Sequence, residues 1–208
     1  MPRDATETRE RLLAEARRLF ATQGVFQTTS REIVEAAGQR NVSALTYHFG
    51  SRDGVLAAIL LGFDQVLDAE RGELLARIGE AASTRELVAA LLVPYARPLA
   101  TVEGREYLRI VAQLTERFPE WRDATLTGPY LRRILGILER RPGELRPAIR
   151  RERVVSAITL MTAAMAERAR LVAERRRGRL DDATFLANLA DMLVGVLEAP
   201  PGPPLASS

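Results

Sequence analysis

Apolar side chains recur at three- and four-residue intervals along nearly the whole chain, and nowhere do polar and apolar residues alternate over the length of a half-buried strand. That period admits helices and leaves no signal for a sheet, so the expected fold class is all-α. The 208 residues, 47% of them hydrophobic, suffice for a core that such helices can share. A first helix is expected over about residues 6–23, with Leu12, Leu13, Ala16, Leu19 and Phe20 on one face and Arg9, Glu10, Arg17 and Arg18 opposite. Gly24 stops it. Thr29 and Glu32 have the spacing of a capping box, which opens a short second helix reaching about Glu35. After Ala37-Gly38-Gln39, a third short helix covers about residues 40–48, and a long fourth starts at Ser51 with the early acid Asp53 and reaches about Ile78. Further helices are expected near 84–101, 104–117, 123–140, 147–176 and 181–198, broken at Gly104, Pro119, Pro142, Gly143, Pro147 and Gly178. Pro94, Pro98 and Pro129 predict kinks or extra breaks, and the proline-rich residues 199–208 predict a disordered tail.

Composition removes several kinds of chemistry. Without cysteine there is no disulfide, no Cys-ligated zinc and no thiol nucleophile. His48 is the only histidine, which excludes His-cluster metal sites and leaves a His-based triad one candidate; no cofactor and no metal are expected. There is no run of about 18 apolar residues, and the opening MPRDATETRE is too polar for a secretory signal, so a cytoplasmic protein without a membrane partner is expected. The formal charge is only +3, but all thirty basic residues are arginine, and each is a planar fork that can grip phosphate bidentately. Such a composition permits nucleic-acid binding without establishing it.

Three short helices in the first fifty residues, with a glycine-containing turn between the second and third, match a helix-turn-helix. On a helical wheel of the third, Val42, Leu45 and Phe49 share one side and are expected to pack inward. The other side then presents Arg40, Ser43, Ala44 and Tyr47, with Asn41 and His48 on one flank and Thr46 on the other. These types suit a DNA groove: a fork for guanine, an amide for adenine, hydroxyls for phosphates and small residues for close approach. Arg31, Arg40 and Arg52 are balanced by Glu32, Glu35 and Asp53, so the segment is neutral, and binding would lean on hydroxyls and backbone N–H groups as much as on charge.

The spaced motifs of residues 8–60 resemble the TetR family of bacterial transcriptional regulators. They are Leu19-Phe20 and Gly24, then Phe26-Gln27-Thr28-Thr29, then Ile33 and Ala36-Ala37-Gly38, and finally Tyr47-His48-Phe49-Gly50-Ser51-Arg52-Asp53. The resemblance implies a homodimeric regulator, expected to be a repressor released from a palindromic double-stranded operator by a small effector. It implies a helix-turn-helix domain over 1–50 and a helical effector-binding and dimerisation domain over 51–198. It also implies phosphate contacts for Tyr47, for Thr28, Thr29 and Ser30 opening the second helix, and for Arg52 opening the fourth. Arg31 joins them as an expected DNA contact. The chain departs from the commonest family pattern in one place: six residues, Gln39 to Ala44, separate Gly38 from Leu45 where five are usual. That insertion bears directly on Arg40, Asn41 and Ser43.

Two apolar stripes, Val154, Ile158, Met161, Met165 and Phe185, Leu189, Met192, Val196, have the three-and-four spacing of a helical interface, and are expected to dimerise the chain or to complete its own core. Tyr107, Gln113, Trp121, Tyr130 and Met161 are expected to line a site for a largely apolar effector, although the same residues would suit an ordinary core. No enzyme is expected. The alternatives are a helical enzyme using Glu116, Arg109 and Tyr107, which would leave the helix-turn-helix face without a use, and a helical scaffold independent of DNA.

Overall fold

The computed structural model describes residues 2–79, 81–115, 127–141, 145–176 and 178–202, and among them it is all helical. The order is α1 (Pro2–Thr22), α2 (Ser30–Ala36), α3 (Ser43–Phe49), α4 (Arg52–Ile78), α5 (Thr84–Ala96), a 3-10 turn (Arg97–Ala100), α6 (Val102–Gln113), α7 (Pro129–Glu139), α8 (Pro147–Ala173) and α9 (Asp182–Glu198). Pro94 is buried inside α5, Pro98 lies in the 3-10 turn, and Pro129 is the first residue of α7, where a missing N–H costs nothing. Gly104 breaks no helix, because α6 starts earlier, from the cap at Thr101 whose side chain accepts the Gly104 N–H. The breaks expected at Pro119, Pro142 and Gly143, and the last six residues of the expected tail, lie outside the described residues.

The chain divides into two compact units, and the division crosses α4 between Leu67 and Asp68. One unit holds α1, α2, α3, the first part of α4, the 3-10 turn, α6 and α8 from Thr162 onward. The three N-terminal helices share their core with α4 and α6. Leu12, Leu19, Phe20, Ile33 and Leu45 are buried together with Val55 and Ile59 of α4 and Ile110 of α6. Polar contacts reinforce that packing. Arg17 of α1 pairs with Glu106 of α6 at 2.8 Å, and the Gln113 carboxamide accepts from the Val25 N–H at 2.7 Å while donating to the Phe20 carbonyl at 3.0 Å.

The other unit holds α4 from Asp68, α5 up to Tyr95, α7, α8 up to Met161 and α9. Here the buried Asp68 carboxylate accepts the Tyr130 and Leu131 N–H groups at 3.1 and 2.7 Å and so caps the start of α7. In α8, the stripe expected to dimerise is turned into this chain instead: Val154, Ile158, Met161 and Met165 are all buried. Periodicity marks a stripe on a helix but cannot say whether the chain's own helices or a second copy covers it. In α9 the expected stripe is split, with Leu189 buried, Phe185 and Val196 half-buried, and Met192 43% exposed.

Three helices begin with acid-assisted caps. Thr29 and Glu32 form both halves of the capping box of α2, Ser83 and Glu86 do the same at α5, and Asp181 accepts the Thr184 N–H at α9. These hydrogen bonds hold all three carboxyls below their ordinary pKa, chiefly through the Thr29 backbone N–H for Glu32, the Ser83 hydroxyl for Glu86 and the Thr184 backbone N–H for Asp181. A depressed folded-state pKa means that the stabilisation is present above the usual carboxylate range and is lost as pH falls through it. Melting temperature should therefore decline on acidification below about pH 4.5, and the Glu32→Gln, Glu86→Gln pair should show a shallower decline than the parent chain. An equally steep decline in the pair would assign the acid sensitivity elsewhere. Replacing Gln113 by Ala strands the buried Val25 N–H, and thermal or urea unfolding should show a loss of about 1–3 kcal/mol.

Candidate nucleic-acid interface

The helix-turn-helix is built from two seven-residue helices, too short to persist unless their ends and one face are fixed. At its start α2 has the Thr29 cap, and at its end a Schellman motif in which Gly38, at φ +71°, lets the Gly38 N–H reach the Glu35 carbonyl and the Gln39 N–H reach the Val34 carbonyl. α3 opens differently: no side chain of its N-cap residue Val42 takes part, and Asn41 Oδ1 accepts the Ser43 N–H at 2.9 Å. The helix thus begins three residues later than its expected start near Arg40. The residue extra to the family spacing is absorbed in the turn, and Val42, ahead of the helix, is 41% exposed instead of packed inward. Leu45 is buried and Phe49 half-buried, as the wheel predicts.

Tyr47 consequently points outward and is 81% exposed, its ring meeting the edge of the half-buried His48 at 4.9 Å. Ser43 and Thr46 are exposed beside it and Ala44 is half-buried, while Arg40 and Asn41 are exposed in the turn that leads in. Arg40 has no carboxylate partner among the described residues. Arg31 is exposed on α2 but is paired with Glu35 at 2.7 Å, and Ser30 is half-buried in the first turn. The Thr29 hydroxyl is committed to the cap: it donates to Glu32 Oε2 and accepts the Glu32 N–H.

Two of the residues expected to touch phosphates are engaged within the chain. Thr28 is 2% exposed and its hydroxyl donates to the Gly24 carbonyl at 2.8 Å, so it closes the α1–α2 link and does not reach outward. Arg52 is spent in the same place. Its Nε donates to the Thr28 carbonyl at 2.7 Å, one terminal nitrogen pairs with Asp53 at 2.9 Å, and the guanidinium lies over the Phe20 ring at 5.0 Å. Position at the start of α4 suggests a phosphate contact for Arg52, whereas the carbonyl it grips lies 24 residues away. A cation that the sequence does not single out is Arg9, exposed on α1 and stacked over Phe49 at 4.9 Å. Its only sequence signal is membership of the polar face of α1. α3 and α4 are also in direct contact: a Cβ on Gly54 would come within 1.9 Å of the Phe49 carbonyl oxygen, so the first turn of α4 fits there only as glycine.

Among the described residues, those expected around an effector lie in separate surroundings. Tyr107 is buried, stacks on Phe63 at 4.5 Å and donates to Asp64 at 2.6 Å, and Gln113 is occupied by backbone groups of α1 and the α1–α2 link. Tyr130 lies against Gly72 and is 40% exposed. Met161 lines an apolar cavity of about 10 Å³ with Leu135, Ile158 and Leu193, room for about one water molecule. Trp121 lies outside the described residues, as does Glu116 of the alternative enzyme reading. No group of three or more acidic or histidine side chains among the described residues could hold a metal, and none of the described helices is long and apolar enough to cross a membrane.

Residues 12–59, from the middle of α1 through α2 and α3 to the first turns of α4, match the model of the bacterial regulatory proteins of the tetR family. No curated protein matches the chain. Among solved structures, it is similar to a protein of Shewanella sp. PV-4 assigned to the tetR family of transcription regulators, at 18% identity and a TM-score of 0.58, covering 89% of this chain and 95% of that one. It is also similar to the TetR family transcriptional regulator PfmR of Thermus thermophilus, at 21% identity and a TM-score of 0.56 over 94% and 98%. The fatty acid degradation regulator FadR of Bacillus halodurans is similar at 15% identity and a TM-score of 0.53 over 92% and 95%. At these identities the structures speak for the fold, and the N-terminal match speaks for the family. Residues 12–59 thus carry a helix-turn-helix like that of the tetR family, on a fold shared with solved TetR-family regulators.

Proposed function

We propose that the chain is a ligand-responsive repressor that binds a palindromic operator as a homodimer and leaves it when a small, largely apolar effector binds. The observation that carries this reading is the outward face of α3: Tyr47 at 81% exposure, beside exposed Ser43 and Thr46, over a buried Leu45. In this reading Tyr47, Ser43, Thr46 and His48 lie along the groove, Ala44 allows close approach, Arg40 and Asn41 read bases from the turn, and Ser30 and Arg31 reach phosphates from the start of α2. Residues 1–50 supply the DNA-contacting head and residues 51–198 the effector and dimer functions. For the dimer, the α9 residues Met192, Val196 and Phe185 are the part of the expected stripes that is still exposed or half-exposed. A second copy seated there would set two recognition helices about one DNA turn, roughly 34–36 Å, or a multiple of it apart. The effector acts only through its difference in affinity between the DNA-binding and the released arrangement.

Gel retardation on the DNA flanking the chain's own coding region tests the reading. Tyr47→Phe should weaken binding by about 1 kcal/mol, roughly fivefold, with unchanged melting because the hydroxyl is exposed. Unchanged affinity would remove Tyr47 from the interface. Since Arg52 is held by the Thr28 carbonyl and Asp53, and Arg31 reaches phosphate only by leaving Glu35, few cations are left to neutralise phosphates. At about −0.9 per neutralised phosphate, the slope of log affinity against log salt should lie at roughly −2 to −4. A slope near −10 would mean that a far more basic surface does the binding.

A further inference from the structure

A recess of about 340 Å³ opens in the second unit where the first turn of α5, the end of α7, the start of α8 and the end of α9 come together. Its polar lining is Thr84, Arg141 and Arg150, with Glu198 the one acid, and its apolar lining is Leu138, Leu145 and Leu197. Both guanidinium groups are fixed by backbone carbonyls. Arg141 donates to the Ala82 carbonyl, and Arg150 donates to the Arg141 carbonyl at 2.7 Å. Carbonyls hold a fork in place but do not neutralise it, and neither arginine has a carboxylate within ion-pair distance among the described residues.

Three polar atoms at these walls also lack a hydrogen-bond partner: Thr84 Oγ1, Arg141 Nε and Arg150 Nε. Thr84 is 2% exposed, so its hydroxyl is stranded away from solvent. The Glu86 carboxylate feels the charge of Arg141 but is not within ion-pair distance of it, and is held instead by the Ser83 N–H and hydroxyl at 2.7 Å each. Two fixed cations, a buried idle hydroxyl and an apolar wall thus converge on a volume in the range of small-molecule sites.

We propose that this recess binds a small organic carboxylate, its charged end on Arg141, Arg150 and Thr84 and its apolar body against the leucines. A carboxylate is acceptor-only and meets donors that have nothing else to bond. Glu198 disfavours a dianion, and the leucines favour a ligand with a hydrocarbon body. Leu138 and Leu197 also line the small cavity against Met161, so the recess and that cavity share a wall. Binding here does not require the repressor reading, whereas release of DNA by the same ligand rests on it.

The test is calorimetric titration of the full chain with octanoate, with octanol as the uncharged counterpart and inorganic phosphate as the bare anion. Expected are saturable 1:1 binding of octanoate, octanol weaker by tenfold or more, and no competition by phosphate. Thr84→Val and Arg150→Gln should each weaken octanoate about tenfold or more. Thr84→Val removes an idle hydroxyl at nearly constant volume, so the unliganded chain should melt as before. Absence of saturable binding, octanol equal to octanoate, competition by phosphate, or affinity unmoved in both variants would each overturn the site. Gel retardation in the same samples separates the two ideas: octanoate that binds without displacing DNA supports the site and removes it from the release mechanism.

Discussion

The link from α1 to α2 is held from two remote helices and by one contact of its own, and the geometry of the helix-turn-helix depends on it. Backbone polar groups in a buried turn must find partners, and here side chains supply them. Gln113 of α6 takes the Phe20 carbonyl and the Val25 N–H, Thr28 folds back onto the Gly24 carbonyl, and Arg52 of α4 takes the Thr28 carbonyl. α2 starts two residues after Thr28, so its position is set relative to α1, α4 and α6 together. Helices of seven residues have almost no stability of their own, and without these anchors the exposed face of α3 would have no defined orientation to offer DNA.

The arginine-only composition takes on a structural sense in this light. Arg52, Arg105, Arg132, Arg141, Arg150 and Arg153 each donate to a backbone carbonyl at or near the end of a helix, turn or link. A guanidinium can hold one carbonyl and still present further N–H groups or a flat face to another partner, as Arg52 does toward Asp53 and Phe20. An ammonium on the same stem would hold the carbonyl as a point charge and lose the stacking. Part of the positive charge is therefore internal fastening, and the recognition segment's own charges sum to zero.

Local features were legible in the sequence, and features decided by distant partners were not. The Thr29–Glu32 cap, the stop after α2, the inward Leu45 and the outward Tyr47 all follow from spacings of a few residues. Thr28 and Arg52 look like surface groups until Gly24, Phe20 and the fold of the link are in place, and Gln113 meets the carbonyl of a residue 93 positions earlier. Val42 failed for a subtler reason: a wheel is valid only inside the helix, and α3 begins one residue after it. The stripe on α8 shows the same limit at larger scale. Its spacing was right, but only the fold shows that α5, α7 and α9 supply side chains to the cavity that it lines.

The close fit of Gly54 under the Phe49 carbonyl makes the end of α3 and the first turn of α4 a single mechanical piece. α4 has 27 residues, so at about 1.5 Å per residue it is a rod roughly 40 Å long with the recognition helix fastened to one end. Any side chain at residue 54 would therefore be felt on both sides of the joint, displacing the end of α3 as well as the start of α4.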